Sequence, residues 1–271
     1  MPDPLHAEPF RADGAPGGPG AAVLLVHGFT STPASMTPWA EHLAAVGFRV
    51  SVPLLPGHGS VWQDMNQTGW RDWYAEVLRA FVELRGHGEP VFVAGLSMGG
   101  GLALRLAEER PDDVAGVMLV NPSVLDPDKR LLATPLLKRL TGSVAGIKSD
   151  IKKPGVGEEG YDRVPLKALD SLRELWRMTR ADLRKVTAPV LVFRSAVDHV
   201  VPALSSQVVI QEVGSADVSE QVLAESYHVA VLDNDAPQIF SQSAAFARDV
   251  LQRRSTSGSG SGTDIGAGDA V

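Results

Sequence analysis

The 271-residue sequence contains no cysteine. That absence excludes a disulfide framework, a thiol nucleophile and any thiolate metal site. Positive charge is also in short supply, since 25 Lys and Arg against 32 Asp and Glu leave a net charge of -7. The basic residues are scattered and form no stripe able to displace counterions from a phosphate backbone, so nucleic acid is not an expected partner. No apolar run approaches the length of a bilayer span. The strongest, Ala21-Ala22-Val23-Leu24-Leu25-Val26, has the length of a buried strand, and stable membrane insertion is not expected. The opening Met1-Pro2-Asp3-Pro4 lacks the basic and apolar regions of a secretory signal, which makes the cytoplasm the expected location.

What is present is an alternation of short apolar runs with helical patterns. Val23 to Val26 predicts a strand, Pro33 to Val46 a helix, Phe48 to Val52 a strand and Trp70 to Leu84 a helix. Val91 to Ala94 and Met98 to Glu109 repeat the unit, and Val114 to Val120, Val190 to Phe193 and Val218 to Ala224 supply further strands. Val114 to Val120 and Val190 to Phe193 run continuously apolar, as strands covered on both faces do, so the fold class is α/β with a mostly parallel central sheet flanked by helices. The core is expected at 21–121 and 189–254. Between Pro122 and Ala188 the rhythm breaks, and 122–188 reads as an inserted cap. Its helical pattern from Pro165 to Val186 sets Leu169, Leu172, Trp176 and Leu183 near one face, which could roof a site or dock on the core. The Gly- and Pro-rich 1–20 and the Ser- and Gly-rich 255–271 are expected to be flexible and disordered, respectively.

Gly95-Leu96-Ser97-Met98-Gly99 matches G-x-S-x-G between a predicted strand and a predicted helix, the context in which the motif carries a nucleophile. So tight a turn leaves no room for side chains at Gly95 and Gly99, and it aims the Ser97 oxygen away from the sheet at a helix N-terminus. A serine hydroxyl needs a base and a carboxylate to orient that base. With this elbow the chain order is serine, acid, histidine. Downstream of Ser97 the chain has two histidines, His199 and His228. Asp198 follows a predicted strand and His228 follows the last one, so Asp198 and His228 are the candidates. His199 adjoins Asp198, and neighbouring side chains diverge, so it reads as a rim residue. The loop after the first clear strand carries the second oxyanion donor in such an architecture, assigned to the main-chain N–H of Phe29 beside that of Met98. His27 reads as orienting that loop. His58 has no companion ligands at metal spacing and reads as structural, as do Trp70, Trp73, Val77 and Leu84 on one helix face. Neither a metal nor a cofactor is expected.

Together His27-Gly28-Phe29-Thr30, Pro56-Gly57-His58-Gly59, Gly95 to Gly100 and Ser226-Tyr227-His228-Val229 resemble the small bacterial carboxylesterases and monoacylglycerol lipases of the α/β-hydrolase superfamily. The resemblance covers about residues 20 to 252. It implies a trimmed sheet and a compact cap over an apolar acyl pocket. It also implies Ser97, Asp198 and His228 as triad, with Phe29 and Met98 as oxyanion donors. Phe29, Met98, Leu131, Leu132 and Trp176 would line the pocket, the last three as the substrate-binding residues of the cap. The expected partners are a small acyl ester of short to medium chain and water; oligomeric state is left open. A thioesterase or carbon-carbon bond hydrolase could use the same triad, and a non-catalytic binding protein could keep the fold. Ser97 disfavours the dehalogenase and epoxide-hydrolase pattern, which has Asp at the elbow.

Overall fold

The computed structural model describes residues 7–146 and 149–259, with side chains described except at 132 and 257–259. In chain order the first half comprises β1 (Phe10–Ala12), β2 (Ala22–Val26), α1 (Thr37–Ala45), β3 (Arg49–Val52), α2 (Trp62–Met65), α3 (Trp70–Arg85), β4 (Val91–Leu96), α4 (Met98–Glu109) and β5 (Val114–Val120). The second half comprises α5 (Thr134–Leu137), β6 (Ser143–Ala145), β7 (Arg163–Pro165), α6 (Leu166–Asp182), β8 (Val190–Ser195), α7 (Ala203–Glu212), β9 (Val218–Leu223) and α8 (Ala236–Ser259).

Seven strands form one sheet in the order β1-β3-β2-β4-β5-β8-β9, parallel except for β1. The chain leaves β2 toward β3 on one side and then crosses to β4 on the other. A crevice therefore opens beyond the C-terminal ends of β2 and β4, where open α/β sheets bind ligands. The strands β2, β4 and β5 are buried along their whole length. Ala22, Leu24 and Val26 of β2 pack with α3, α4 and α6, while Val23 and Leu25 pack with α1 and α8. Continuous apolar runs are the consequence of having helices on both faces. The edge strand β9 carries Ser219, Glu220 and Gln221 and is largely solvated, with Arg194 paired to Glu220 at 2.6 Å. The small β6–β7 ribbon, α5 and α6 lie between β5 and β8, inside the region that broke the rhythm.

Among the described residues, parts of both terminal segments carry regular structure. Within 1–20, β1 pairs antiparallel with β3, Phe10 opposite Val52 and Ala12 opposite Val50. Glycine here permits contact as well as freedom: a Cβ on Gly18 would stand 2.1 Å from the Gly47 carbonyl oxygen. At the other end α8 runs through 255–259. Ser255 Oγ caps back to the Gln252 carbonyl at 2.7 Å, and Arg253 pairs with Asp217 and Asp249. Residues 260–271 lie outside the described residues, as do 1–6.

Below the crevice sit two buried histidines. His27 Nδ1 donates to the Gly28 carbonyl at 3.0 Å, and Nε2 accepts from the Leu55 N–H at 3.2 Å. His58 Nδ1 donates to the Pro56 carbonyl at 3.2 Å, and its ring packs edge-on against His27 and Trp73. A second proton on His27 would face a donor. Burial first, and for His58 the neighbouring His27 second, lower their pKa values from 6.5 to about 4 and about 3. Both rings are neutral at neutral pH, the structural role read from sequence. Unfolding frees them to bind protons, so their contribution to stability is complete above pH 6.5 and is lost as pH falls through those values. Urea denaturation should therefore give a stability lower at about pH 4.5 than at about pH 7.5, by about 2 kcal/mol for each ring. His58→Phe should narrow the gap; an unchanged gap would show that His58 does not carry it.

Candidate active site

The elbow follows from close packing. A Cβ on Gly99 would lie 2.1 Å from the Val26 carbonyl oxygen, and one on Gly95 would lie 2.3 Å from the backbone of Gly99. Glycine at both positions lets α4 begin one residue beyond Ser97, directly against the end of β2. Ser97 turns the corner at φ 55 and ψ -118, a conformation that L-residues rarely adopt. Its N–H donates to the Val120 carbonyl at 3.0 Å, and its carbonyl accepts from Gly101 and Ser123 at 3.2 and 3.0 Å. The loop after β2 closes on the elbow from the other side, where a Cβ on Gly28 would be 3.7 Å from that of Ser97.

Ser97 lies on the wall of a 390 Å3 cavity that Phe29, Asp126, Glu158 and His228 also line. The cavity's apolar wall includes Leu125, Leu131, Val144, Leu169, Leu172 and Trp176. Of the three residues expected to line the pocket from the cap, Leu131 and Trp176 are on this wall; the Leu132 side chain lies outside the described ones. Phe29 packs its ring edge-on against Trp73 at 5.9 Å. Met98 is corrected as a lining residue. As the first residue of α4 it directs its side chain away from the crevice into the core, leaving its main chain at the helix N-terminus. The face of α6 does both things considered for it: Leu172 is buried in the core, while Leu169 and Trp176 wall the cavity and pack on that core.

His228 Nδ1 meets Asp198 Oδ2 at 2.8 Å, with both side chains buried. Carboxylate acceptance fixes the proton on Nδ1 and leaves Nε2 as the acceptor. Asp198 Oδ1 takes two main-chain N–H bonds, from Val200 and Val201, each 2.8 Å. Burial alone would raise the Asp198 pKa, but the hydrogen bond and charge of His228 and those two N–H groups hold it below the ordinary range. Burial alone would likewise lower His228. The hydrogen bond and charge of Asp198, with the charges of Glu158 and Asp150, outweigh it and raise His228 above 6.5. His199 is half exposed and turned away, its Nδ1 on Asp150 at 2.8 Å and its ring edge-on to Tyr227.

Three polar residues escaped the sequence reading. Asn121, at the end of β5 with φ 44, donates to the His228 carbonyl at 2.8 Å and accepts from the Ser195 N–H at 2.8 Å, tying the histidine loop to two strand ends. Its one sequence signal is a polar residue closing an apolar strand. Glu158 is half-buried on the cavity wall and accepts from Ser31 Oγ at 2.6 Å; loss of solvent raises its pKa against the pull of Ser31 and His228. Asp150 touches both histidine loops. Nothing local marks Glu158 or Asp150 in a stretch rich in charge.

A parallel sheet with a strained serine between β4 and α4, and a paired Asp and His after β8 and β9, defines a class of hydrolase. The chain belongs to the alpha/beta hydrolase family, whose model matches residues 23–242. It is 40% identical over 246 residues to a thermostable monoacylglycerol lipase of Bacillus sp. strain H-257, covering 89% of this chain and 94% of that one. A carboxylesterase of Bacillus subtilis strain 168 is 26% identical over 79% of this chain and 87% of its own. Among solved structures, one described under LipS and LipT, two metagenome-derived lipolytic enzymes, superposes with a TM-score of 0.86 at 35% identity, covering 90% of this chain and 98% of that one. The chain is accordingly a serine ester hydrolase. Among the described residues no helix is long and apolar enough to cross a membrane.

The imidazole of His228 should titrate above 6.5 in an NMR titration, because its charged form is the one its neighbours favour. Asp198→Asn should move that midpoint down. A midpoint below 6.5 in the parent protein would contradict the balance of burial and charge described above.

Proposed function

We propose that this serine ester hydrolase cleaves monoacylglycerols and related short- to medium-chain esters through an acyl-enzyme on Ser97. The observation that carries the reading is the placement of Ser97 on an apolar cavity lined also by His228, whose ring is held by Asp198 at 2.8 Å. In the reading, His228 Nε2 takes the Ser97 proton as Oγ attacks the ester carbonyl carbon. The N–H groups of Phe29 and Met98 receive the oxyanion, where preorganised donors contribute several kcal/mol. Collapse breaks the bond to the alcohol, which leaves with the proton from His228. Water activated by the same ring then attacks the acyl carbon and restores Ser97.

The apolar wall of Leu125, Leu131, Leu169, Leu172 and Trp176 suits an acyl chain, and its volume lies within the usual range for small-molecule sites. The Glu158–Ser31 pair gives the same cavity a polar side, which suits an alcohol carrying free hydroxyls, as glycerol does. The likeness to a monoacylglycerol lipase supports that choice over thioesters.

Turnover of monoacylglycerols, p-nitrophenyl esters and acyl-thioesters should be compared directly. The oxygen esters should lead, with monoacylglycerol preferred; thioester preference would overturn the substrate assignment. Ser97→Ala should lower kcat by about four orders of magnitude or more without unfolding the protein, and should abolish labelling by a fluorophosphonate. Undiminished turnover in that variant would remove Ser97 from the mechanism. Because His228 acts as its neutral form, kcat/KM should fall on the acid side, with the limb above pH 6.5.

A further inference from the structure

The insertion does more than wall the cavity. At residues 149–153 the chain runs across the two loops that bear Asp198 and His228, and a buried carboxylate binds it to both. Asp150 Oδ2 accepts from the main-chain N–H of His199 at 3.1 Å and of His228 at 3.2 Å. Asp150 Oδ1 meets His199 Nδ1 at 2.8 Å, and the Asp150 carbonyl accepts from the Val229 N–H at 3.1 Å. The side chain is 9% exposed. One carboxylate thus grips the residue next to Asp198 and the backbone of His228 itself. The two loops belong to different strands and share no ladder of their own beyond β8 and β9, whose pairing ends at Ser195 and Leu223.

We infer that Asp150 is a positioning residue for the reaction: it sets the distance between the loop of Asp198 and that of His228, and it carries the inserted segment onto both. This rests on the roles proposed above for Ser97, Asp198 and His228. A carboxylate has two properties here that a neutral linker lacks. It accepts several N–H bonds at once, each strengthened by its charge. It also faces the imidazole with negative charge, so the imidazolium that forms during attack is favoured. The charged groups facing His228 are Asp198 from the loop after β8, and Glu158 and Asp150 from the insertion. Asp150 is the one among them that is also bonded to the backbone of His228.

Asp233 provides the contrast. Its carboxylate accepts from Lys152, Lys153 and Tyr227 N–H groups at 2.6, 2.9 and 2.9 Å, so it ties the same insertion to the same loop. It does so without touching His228. A purely mechanical anchor would behave the same at either aspartate.

The test compares pH profiles of kcat/KM on a p-nitrophenyl ester for Asp150→Asn, Asp150→Glu and Asp233→Asn in the full chain. Asp150→Asn should lower kcat by about 10- to 100-fold, as a small misplacement of reacting groups does, with KM changed by less than about threefold. Its acid limb should move to lower pH by about half a unit or more, because a negative charge beside the imidazole is gone. Asp150→Glu keeps the charge but not the reach, so kcat should fall while the limb stays. Asp233→Asn should lower the thermal midpoint and leave the limb in place. Wild-type kcat in Asp150→Asn, or a limb that behaves alike in the Asp150→Asn and Asp233→Asn variants, would overturn the assignment. If Asp150→Asn does not fold, wild-type kcat in Asp150→Glu would overturn it. Ser97→Ala and His228→Ala measured alongside separate the outcomes, since turnover in those variants would defeat the underlying site and not merely the role of Asp150.

Discussion

The site depends on how closely α4 approaches the C-terminal end of β2. At Gly99 there is no space for even a methyl group before the Val26 carbonyl. That contact forces the chain to turn within Ser97, and the turn is possible only with a left-handed φ. The cost of such a conformation is of order 1–3 kcal/mol, offset here by the three main-chain bonds that Ser97 makes to Val120, Gly101 and Ser123. Because the residue cannot relax, its hydroxyl is held at the mouth of the crevice. The same approach puts the first turn of α4 beside the loop of Gly28 and Phe29, so nucleophile and oxyanion donors in the proposed mechanism derive from one packing constraint.

Loops lack the repeating bonds that keep strands in register, and here buried polar groups take that part. Asp198, Asp150 and Asp233 each accept two or more main-chain N–H bonds, and Asn121 bridges β5, β8 and the histidine loop. These bonds are charge-assisted or fully buried, which makes each one costly to leave unmade. The insertion joins this network from 149 to 161, where Tyr161 N–H also meets the Thr30 carbonyl at 3.0 Å. One portion of the insertion is therefore fastened to the loops of the site, while Leu131, Val144, Leu169 and Trp176 from the rest form the apolar wall. Membership of the alpha/beta hydrolase family and kinship with ester hydrolases agree with a core of this kind.

Much of this was legible in the chain. Strands β2 to β5, β8 and β9 and helices α1, α3, α4 and α6 fall where the sequence pattern put them, because a sheet covered on both faces demands apolar runs and its helices a periodic face, whereas β1, α7 and α8 were not read from the chain. The elbow was readable because the two glycines it needs stand within five consecutive residues. Asp198 and His228 were readable as candidates because few histidines follow Ser97 and each residue follows a strand. Gly18, in the Gly- and Pro-rich start of the chain, lets two backbones touch, and composition cannot distinguish such a glycine from one that only bends.

What the sequence by itself determined is local: the order of the elements, the strained turn at Ser97, and the residue types from which a serine hydrolase can be assembled. Those depend on chirality, on the volume of a Cβ and on patterns within a single strand or helix. Only the tertiary structure decided that Glu158 meets Ser31 across 127 positions, that Asp150 binds two loops at once, and that Met98 turns inward while Trp176 faces the cavity. Such contacts obey no period. They arise where separate elements converge, and a buried carboxylate in a charged loop looks like any solvated one until the surrounding chain has removed the water.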